Sequence, residues 1–482
     1  MEGSHAHLIG IGGNGMRALA DVLRGWGWSV SGSDMMLHGH AAENLPLSTD
    51  LVIHSDAIPA DNPELLRAAE LGLPVSSYFQ VLGKITQCGT GFQPVEKNRP
   101  AGNLRNSFRQ VGNVSHMTLA VAGTHGKSTV TAMAGHILAW CGRNPTVFCG
   151  ATPIGQNSGG RAGRRDFFVV EACEYRKNFL NLRPNQAVIL NIEPDHFDCY
   201  ENLAQLETAF REFAESLPED GLLLIREDCS TTKRVVQNLP CGIKTFGFSS
   251  ADWTARDIEQ VGGFYRFSVF KEGKFFTAVR LPVPGRHNLA NALAATAICG
   301  ENGASGEEIR QGLESFPGLQ RRFEICRTGF QPVLKNRQVG NLSYVMDYAH
   351  HPTEVMAALV TAREVFTNRR IWCIFQPHQV SRTARLLDEF AESLQNADKI
   401  AVAEIFRARE GKQKPGEVTA SDLARRIAEI AGNGANGKKL ILAHRIEEIA
   451  DILTTQVRVD DVIITLGAGD IHDKMCLRLN DV

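Results

Sequence analysis

A lysine and a hydroxyl set directly after a glycine turn are the residues best placed for chemistry. Leu119-Ala120-Val121-Ala122 is followed by Gly123-Thr124-His125-Gly126 and then Lys127-Ser128-Thr129. The apolar run reads as a buried strand, and Lys127 opens a helix reaching about Cys141. Strand, glycine turn and helix N-terminus form a phosphate cradle of backbone N–H groups. Lys127 adds a positive charge, and Ser128 offers a hydroxyl to a phosphate-bound Mg²⁺. The full P-loop pattern carries glycine where Val121 stands, so this is a shortened form. A plain strand–turn–helix connection is the competing reading, but Gly-Lys-Ser at a helix start is uncommon without a phosphate.

Other polar residues follow apolar runs in the same way. Asp166 to Ala172 reads as a strand that delivers Glu171. Gln186 to Ile192 delivers Asn191, Glu193, Asp195, His196 and Asp198. Ligands of open parallel sheets sit beyond the C-terminal strand ends, so Glu171 and His196 share a rim with Lys127. A carboxylate and an imidazole beside a triphosphate suit Mg²⁺, although histidine is an unusual ligand for a hard cation. Later, Tyr344 to Tyr348 ends in Asp347-Tyr348-Ala349-His350-His351, and Arg370 to Gln376 ends in Gln376-Pro377-His378-Gln379-Val380-Ser381-Arg382.

Three segments must position these residues. The first, from His7 to about Lys84, alternates strands with helices and carries Gly10-x-Gly12-x-x-Gly15, then Asp34. That spacing matches a dinucleotide fingerprint, and the same turn holds any diphosphate, including that of a nucleotide sugar. A nicotinamide enzyme would leave the second glycine loop unexplained. A non-catalytic nucleotide-binding regulator would not need Lys127, Glu171 and His196. The second segment, Met117 to Pro317, opens with the phosphate loop and contains a hairpin around Glu272-Gly273 and an Ala-rich helix after Gly285. The third, from near Arg321, is a second doubly wound unit. The fold class is therefore α/β in three domains. Residues 1–87 form a Rossmann-like unit, 88–116 an inserted linker, 117–320 a P-loop-type ATPase unit and 321–482 a doubly wound unit.

Composition narrows the classes. At 482 residues the chain exceeds one ordinary core, and 43% hydrophobic and 22% charged residues suit a soluble globular protein. A net charge of -2 gives no general pull toward nucleic acid or anionic membrane. No apolar run reaches the ~18–20 residues of a membrane span. Met1-Glu2-Gly3-Ser4-His5 has no basic start followed by an apolar block, so no secretory signal is expected. The 11 cysteines form no C-x-x-C pair and read as reduced thiols of a cytoplasmic protein. Thr90 to Leu104 and Thr328 to Leu342 agree at 12 of 15 positions, too far apart for a solenoid. Each copy is basic, rich in Gly and Pro, and poor in core residues. A tolerated surface insert is the simpler reading, a partner-recognition tag the other.

Taken together, the chain resembles the Mur ligases, ATP-dependent amino-acid ligases of peptidoglycan precursor synthesis. The resemblance spans nearly the whole chain apart from the two inserts. It rests on Gly10 to Met16, Ser31-Gly32-Ser33-Asp34, Gly123 to Thr129, Asn191 to His196, Gly285-Arg286-His287-Asn288, Arg321-Arg322-Phe323, Asp347 to Glu354, and Phe375 to His378 with Ser381-Arg382-Thr383. It implies an acyl phosphate made from a sugar carboxylate and ATP, then attack by an amine. It implies ATP contacts from Gly123, Thr124, His125, Gly126, Lys127, Ser128, Thr129, Asn288, Asn291, Arg322 and Asp347. Mg²⁺ would sit on Ser128 and Glu171, and a second ion on His196. Gly12, Gly13, Asn14, Gly15, Met16, Ser33, Asp34 and Ser55 would bind the UDP-sugar. Tyr348, His378 and Arg382 would receive the amino acid, with Lys127, Glu171, His196 and Arg382 as the catalytic set. Within the family, Gln-Pro-His…Ser-Arg-Thr resembles the branch joining L-alanine to UDP-N-acetylmuramate. Glu171-Ala172-Cys173-Glu174-Tyr175 resembles the branch that joins a recycled tripeptide to the same sugar. Family members often carry Glu-Ala-Asp-Glu-Ser-Asp at 171–176 and Arg where Gln379 stands, so the pocket here is less charged. Neither a nucleic-acid partner nor a membrane span is expected, and oligomeric state is left open.

Overall fold

The computed structural model describes residues 4–88, 116–326, 333–334, 337–338, 342–408, 410–432, 439–442 and 445–480. The first unit runs β1 (His5–Ile9), α1 (Asn14–Gly25), β2 (Ser29–Ser33), β3 (Leu51–His54), α2 (Pro63–Glu70), β4 (Val75–Ser77) and α3 (Tyr78–Cys88). Its sheet is parallel in the order β2-β1-β3-β4. The helices form for visible reasons. Met16, Leu19, Ala20 and Leu23 bury one stripe of α1. Asn62 caps α2 by accepting from the Glu64 and Leu65 N–H groups, with Pro63 as the first helical residue. The short, polar β4 and the helix α3 were not anticipated; Val81, Leu82 and Ile85 of α3 close a core shared with the next unit.

The second unit comprises β5 (Met117–Ala122), α4 (Lys127–Trp140), β6 (Pro145–Phe148), β7 (Gly160–Arg161), β8 (Arg164–Glu171), β9 (Gln186–Ile189), α5 (Leu203–Ala214), β10 (Leu222–Arg226), α6 (Ser230–Val235), β11 (Gly242–Gly247), β12 (Trp253–Val261), β13 (Phe264–Lys271), β14 (Lys274–Arg280), α7 (Arg286–Glu301) and α8 (Gly306–Glu314). One sheet runs β14-β13-β12-β11-β10-β9-β5-β8-β6-β7. Its middle is parallel, and the expected hairpin is β13–β14 at its antiparallel end. Helices α4 and α7 are buried almost all round, because each packs on the sheet and on the other. The strand expected to reach Ile192 stops at Ile189. Asn191 leaves the ladder to clamp the phosphate loop, accepting from His125 N (2.8 Å) and donating to His125 O (3.1 Å).

The third unit comprises β15 (Glu324–Cys326), β16 (Val333–Leu334), β17 (Arg337–Gln338), β18 (Ser343–Asp347), α9 (Pro352–Val365), β19 (Ile371–Phe375), α10 (Val380–Arg385), α11 (Leu387–Ser393), β20 (Lys399–Val402), α12 (Ala420–Gly432), β21 (Lys439–Leu442), α13 (Ile446–Gln456), β22 (Val462–Leu466) and α14 (Ile471–Asn480). Its sheet, β15-β18-β22-β19-β20-β21, is parallel except at β15 and has a core on each face. Strands β16 and β17 pair as a small hairpin within the second repeat copy. The first copy lies outside the described residues.

A buried carboxylate organises the first unit. Glu64 is fully buried; its Oε2 meets His7 Nε2 at 2.7 Å and Ser33 Oγ at 2.8 Å, and its Oε1 meets His40 Nδ1 at 3.1 Å. Burial alone would raise its pKa. The hydrogen bonds from His7, Ser33 and His40 outweigh burial and bring it down to about 2. This stabilisation is complete above the ordinary carboxylate range and is lost as pH falls toward 2. Glu64→Ala should cost about 3–5 kcal/mol, because His7 and Ser33 stay buried without their partner. Chemical denaturation near neutral pH checks this, and a loss below about 1 kcal/mol would rule it out.

Candidate active site

The phosphate loop joins β5 to α4. Gly126 sits at φ 87°, and a Cβ there would come within 2.6 Å of Asn291 Oδ1. No side chain caps α4, so its first N–H groups face the turn. Ser128 Oγ donates to Glu171 Oε1 at 3.0 Å, and Gly150 N donates to Glu171 Oε2 at 2.7 Å. That pair of hard oxygen donors fits Mg²⁺. His196 does not join them directly. Its Nε2 lies 3.2 Å from Glu174 Oε1, and Glu174 also takes Lys127 Nζ at 2.9 Å. Sequence reasoning assigned Glu174 no role; its only signal was membership of the run Glu171-Ala172-Cys173-Glu174-Tyr175.

Beside the loop, a cleft opens between the second and third units. Gly126, Thr129, Asn288, Asn291, Arg322 and Asp347 all line it, and so does His125. Asn288 is held by Pro284 O at 2.7 Å and in turn holds Asn291 at 3.2 Å. Asp347 accepts from the backbone of Phe323 and Ala349, both at 2.8 Å. Burial pushes its carboxyl up to about 6, against the pull of Arg322. The Arg322 guanidinium lies 5.1 Å over the Tyr348 ring.

In the third unit, Arg382 is 2% exposed and fully paired. Its Nε and Nη2 reach Asp195 Oδ1 at 2.8 and 2.7 Å, and Nη1 meets His378 Nδ1 at 3.0 Å. Asp195 also accepts from His196 N at 2.7 Å. Burial disfavours the Asp195 charge, but His196 and Arg382 hold its pKa far below the usual range. Tyr348, His350, His378 and Phe406 follow as a row of rings with centroids 5.4, 5.7 and 5.8 Å apart. Gln379 is buried, and Glu410 takes the first N–H groups of α10. Asp195, Glu193, Glu354 and Glu410 belong to these sites although the motifs did not assign them.

In the first unit, Gly12, Gly13 and Asn14 are exposed at the turn. Asp34 Oδ2 accepts from Gly12 N at 3.0 Å, and a Gly12 Cβ would sit 2.8 Å from that carboxylate. Gly15 packs beneath Tyr78, and Ser55 Oγ accepts from Ala57 N. Two expected sites lie inward: Met16 faces the core, and the Ser33 hydroxyl donates to Glu64.

The loop is tied to the third unit by His125. Its Nδ1 lies 3.1 Å from Glu354 Oε1, its Nε2 3.5 Å from Glu193 Oε2, and its ring 4.6 Å from that of His351. His350 and Arg322 also face Glu354. Burial would lower the His125 pKa, but Glu193 and Glu354 outweigh it and raise it to about 9. A raised folded pKa means stabilisation that is whole below about 6.5 and fades as pH rises toward 9. We expect His125→Asn to cost roughly 2–3 kcal/mol at pH 6 and little at pH 9.5. Denaturation at both values is the check; a pH-independent difference would exclude the ionic clamp.

Comparison with known proteins gives a consistent picture. The model of the Mur ligase family catalytic domain matches residues 5–88, the Mur ligase middle domain 121–299, and the Mur ligase glutamate ligase domain 321–469. The chain is 37% identical to the UDP-N-acetylmuramate–L-alanine ligase of Acetivibrio thermocellus, across 97% of this chain and 94% of that protein. The crystal structure of a UDP-N-acetylmuramate-alanine ligase from Thermotoga maritima superposes with a TM-score of 0.77 at 27% identity, covering 99% of this chain and 98% of the other. A murein peptide ligase from Psychrobacter arcticus shares the fold, with a TM-score of 0.69 at 22% identity over 100% of this chain and 99% of its own. With all three family domains matched in order, and a relative this similar along nearly its whole length, the chain belongs to the Mur ligase family.

Proposed function

We propose that this chain is an ADP-forming ligase that joins L-alanine to the carboxylate of UDP-N-acetylmuramate in peptidoglycan precursor synthesis. The observation that carries the reading is the convergence of Lys127, Glu171, His196 and Arg382 on one inter-domain region, in a chain whose full-length relatives bear that activity in their names. The first unit binds the UDP-sugar, the second ATP, and the third the amino acid, with boundaries near residues 87, 117 and 321. In this reading the enzyme works in the cytoplasm. No described helix is long and apolar enough to cross a membrane.

A carboxylate does not condense with an amine at neutral pH until its oxygen becomes a leaving group. The sugar carboxylate attacks the γ-phosphorus of ATP, forming a carboxyl–phosphate bond as the bond to ADP breaks. The alanine amine then adds to the acyl carbon, loses a proton, and expels phosphate. Two anions meet in the first step, so positive charge must be concentrated there. Lys127 supplies it from the protein. Ser128 and Glu171 would hold Mg²⁺, and His196 a second ion; the metal would supply charge screening of the phosphates. Arg382 and His378 orient the amino acid, with Tyr348 beside them.

Lys127→Ala should cost at least ~3 kcal/mol of transition-state stabilisation, measured as kcat/KM for ATP. Near-normal turnover would remove the phosphate-loop assignment. Arg382→Lys keeps the charge but loses the planar fork that grips Asp195 with two nitrogens. L-Alanine use should fall at least ~10-fold while ATP affinity stays close to wild type; equal loss of both would argue for general unfolding. Phosphate release from ATP and UDP-N-acetylmuramate, with each amino acid supplied in turn, tests the function itself. Efficient joining of an L-Ala-γ-D-Glu-diaminopimelate tripeptide, with L-alanine ignored, would replace this reading with the recycling activity.

A further inference from the structure

Glu174 touches both Lys127 and His196, yet the phosphate-loop pattern gives it no part. Its side chain is 1% exposed. Oε1 lies 3.0 Å from Lys127 Nζ and 3.2 Å from His196 Nε2, and Oε2 lies 2.9 Å from Lys127 Nζ. Its backbone is held separately, by Tyr200 Oη donating to Glu174 O at 2.5 Å and by Lys177 N at 2.9 Å. The carboxylate is therefore aimed at the site by its own anchored turn.

The Lys127 ammonium has three N–H donors. They face Gly123 O at 2.5 Å, Thr124 O at 3.0 Å and the Glu174 carboxylate. An incoming phosphate must displace one of these partners. The two carbonyls belong to the loop backbone, whose turn is clamped by Asn191 and closed by Gly126. Glu174 is the partner that a side-chain movement can release. His196 is held differently. Its backbone sits at φ 53°, an uncommon conformation for a non-glycine residue, with its N–H on Asp195 and its ring on Glu174.

We propose that Glu174 is a positioning residue that holds Lys127, yields it to the terminal phosphate of the nucleotide, and keeps His196 oriented for the reaction. The exchange rests on the ligase reading above, because only a triphosphate-consuming enzyme needs it. It gives Glu174 two opposed effects. Its charge competes with the phosphate for Lys127 and weakens nucleotide binding. Its contact with His196 supports turnover. A merely structural carboxylate would not separate the two.

The test uses the full chain and a fluorescent ATP analogue, N-methylanthraniloyl-ATP, titrated in EDTA so that no metal contributes. Glu174→Gln should bind the analogue about 10-fold more tightly than wild type, since the neutral amide holds Lys127 more weakly than the carboxylate and adds no negative charge against the phosphate. With Mg²⁺ and all substrates, its kcat should fall about 10-fold while KM for ATP falls too. Glu174→Asp keeps the charge on a shorter arm and guards against a folding failure of the amide variant. It should bind the analogue as weakly as wild type, within about 3-fold, and recover part of kcat. Unchanged or weaker binding by Glu174→Gln, or a kcat equal to wild type, would overturn the proposal. The metal-free titration needs neither sugar nor amino acid, so it stands or falls separately from the substrate assay.

Discussion

The pairing of Arg382 with Asp195 is the constraint on which the rest of the site depends. Both partners are almost completely buried, and they come from different units of the chain. Removing a charge pair from water costs several kcal/mol per ion, so such a pair persists only with good geometry and further hydrogen bonds. Here Arg382 uses two nitrogens on Asp195 and a third on His378, while Asp195 also accepts from the His196 backbone. One contact thus sets the register between the strand-end loop of the second unit and helix α10 of the third. His196 and His378, assigned to opposite halves of the reaction, are held on either side of it.

Around that joint the cleft carries charge in balanced pairs. Lys127 faces Glu174, His125 lies between Glu193 and Glu354, and Arg322 stands near Glu354 and Asp347. The pairing explains why these groups stay charged while buried, since an unpaired one would neutralise instead. In the proposed reaction, a triphosphate replaces carboxylate partners with phosphate oxygens. The left-handed backbone at His196 and at Arg176 and Lys177 lies beside the same carboxylates, where surrounding contacts hold it.

Particular elements show how far the sequence could be read. Strand β5, the glycine turn and the start of α4 were legible, because an apolar run, two glycines and Lys-Ser-Thr are local signals. So were most strands of the third unit, which are short apolar runs ended by polar residues. Helix α3 was missed because its apolar face packs on a neighbouring unit, which no local pattern announces, and β4 because three residues with two serines are held by backbone pairing with β3. The early end of β9 was missed for a related reason: Asn191 bonds to a loop far away in the chain. Met16 and Ser33 were read as ligand contacts from motif membership, but the α1 stripe and the Glu64 network draw them inward.

By itself the sequence determined the α/β class, the order of the units, the phosphate loop and the family resemblance. Those depend on residue type and short spacing, which the chain carries wherever it folds. Only the tertiary structure decided which charges meet. Glu174 reaches Lys127 and His196, Glu354 reaches His125, and Asp195 reaches Arg382 across long stretches of chain. A buried ion needs a partner within hydrogen-bond distance, whatever its separation in sequence. The partners were therefore settled by how the sheets and helices pack, and the active site took its form from that packing.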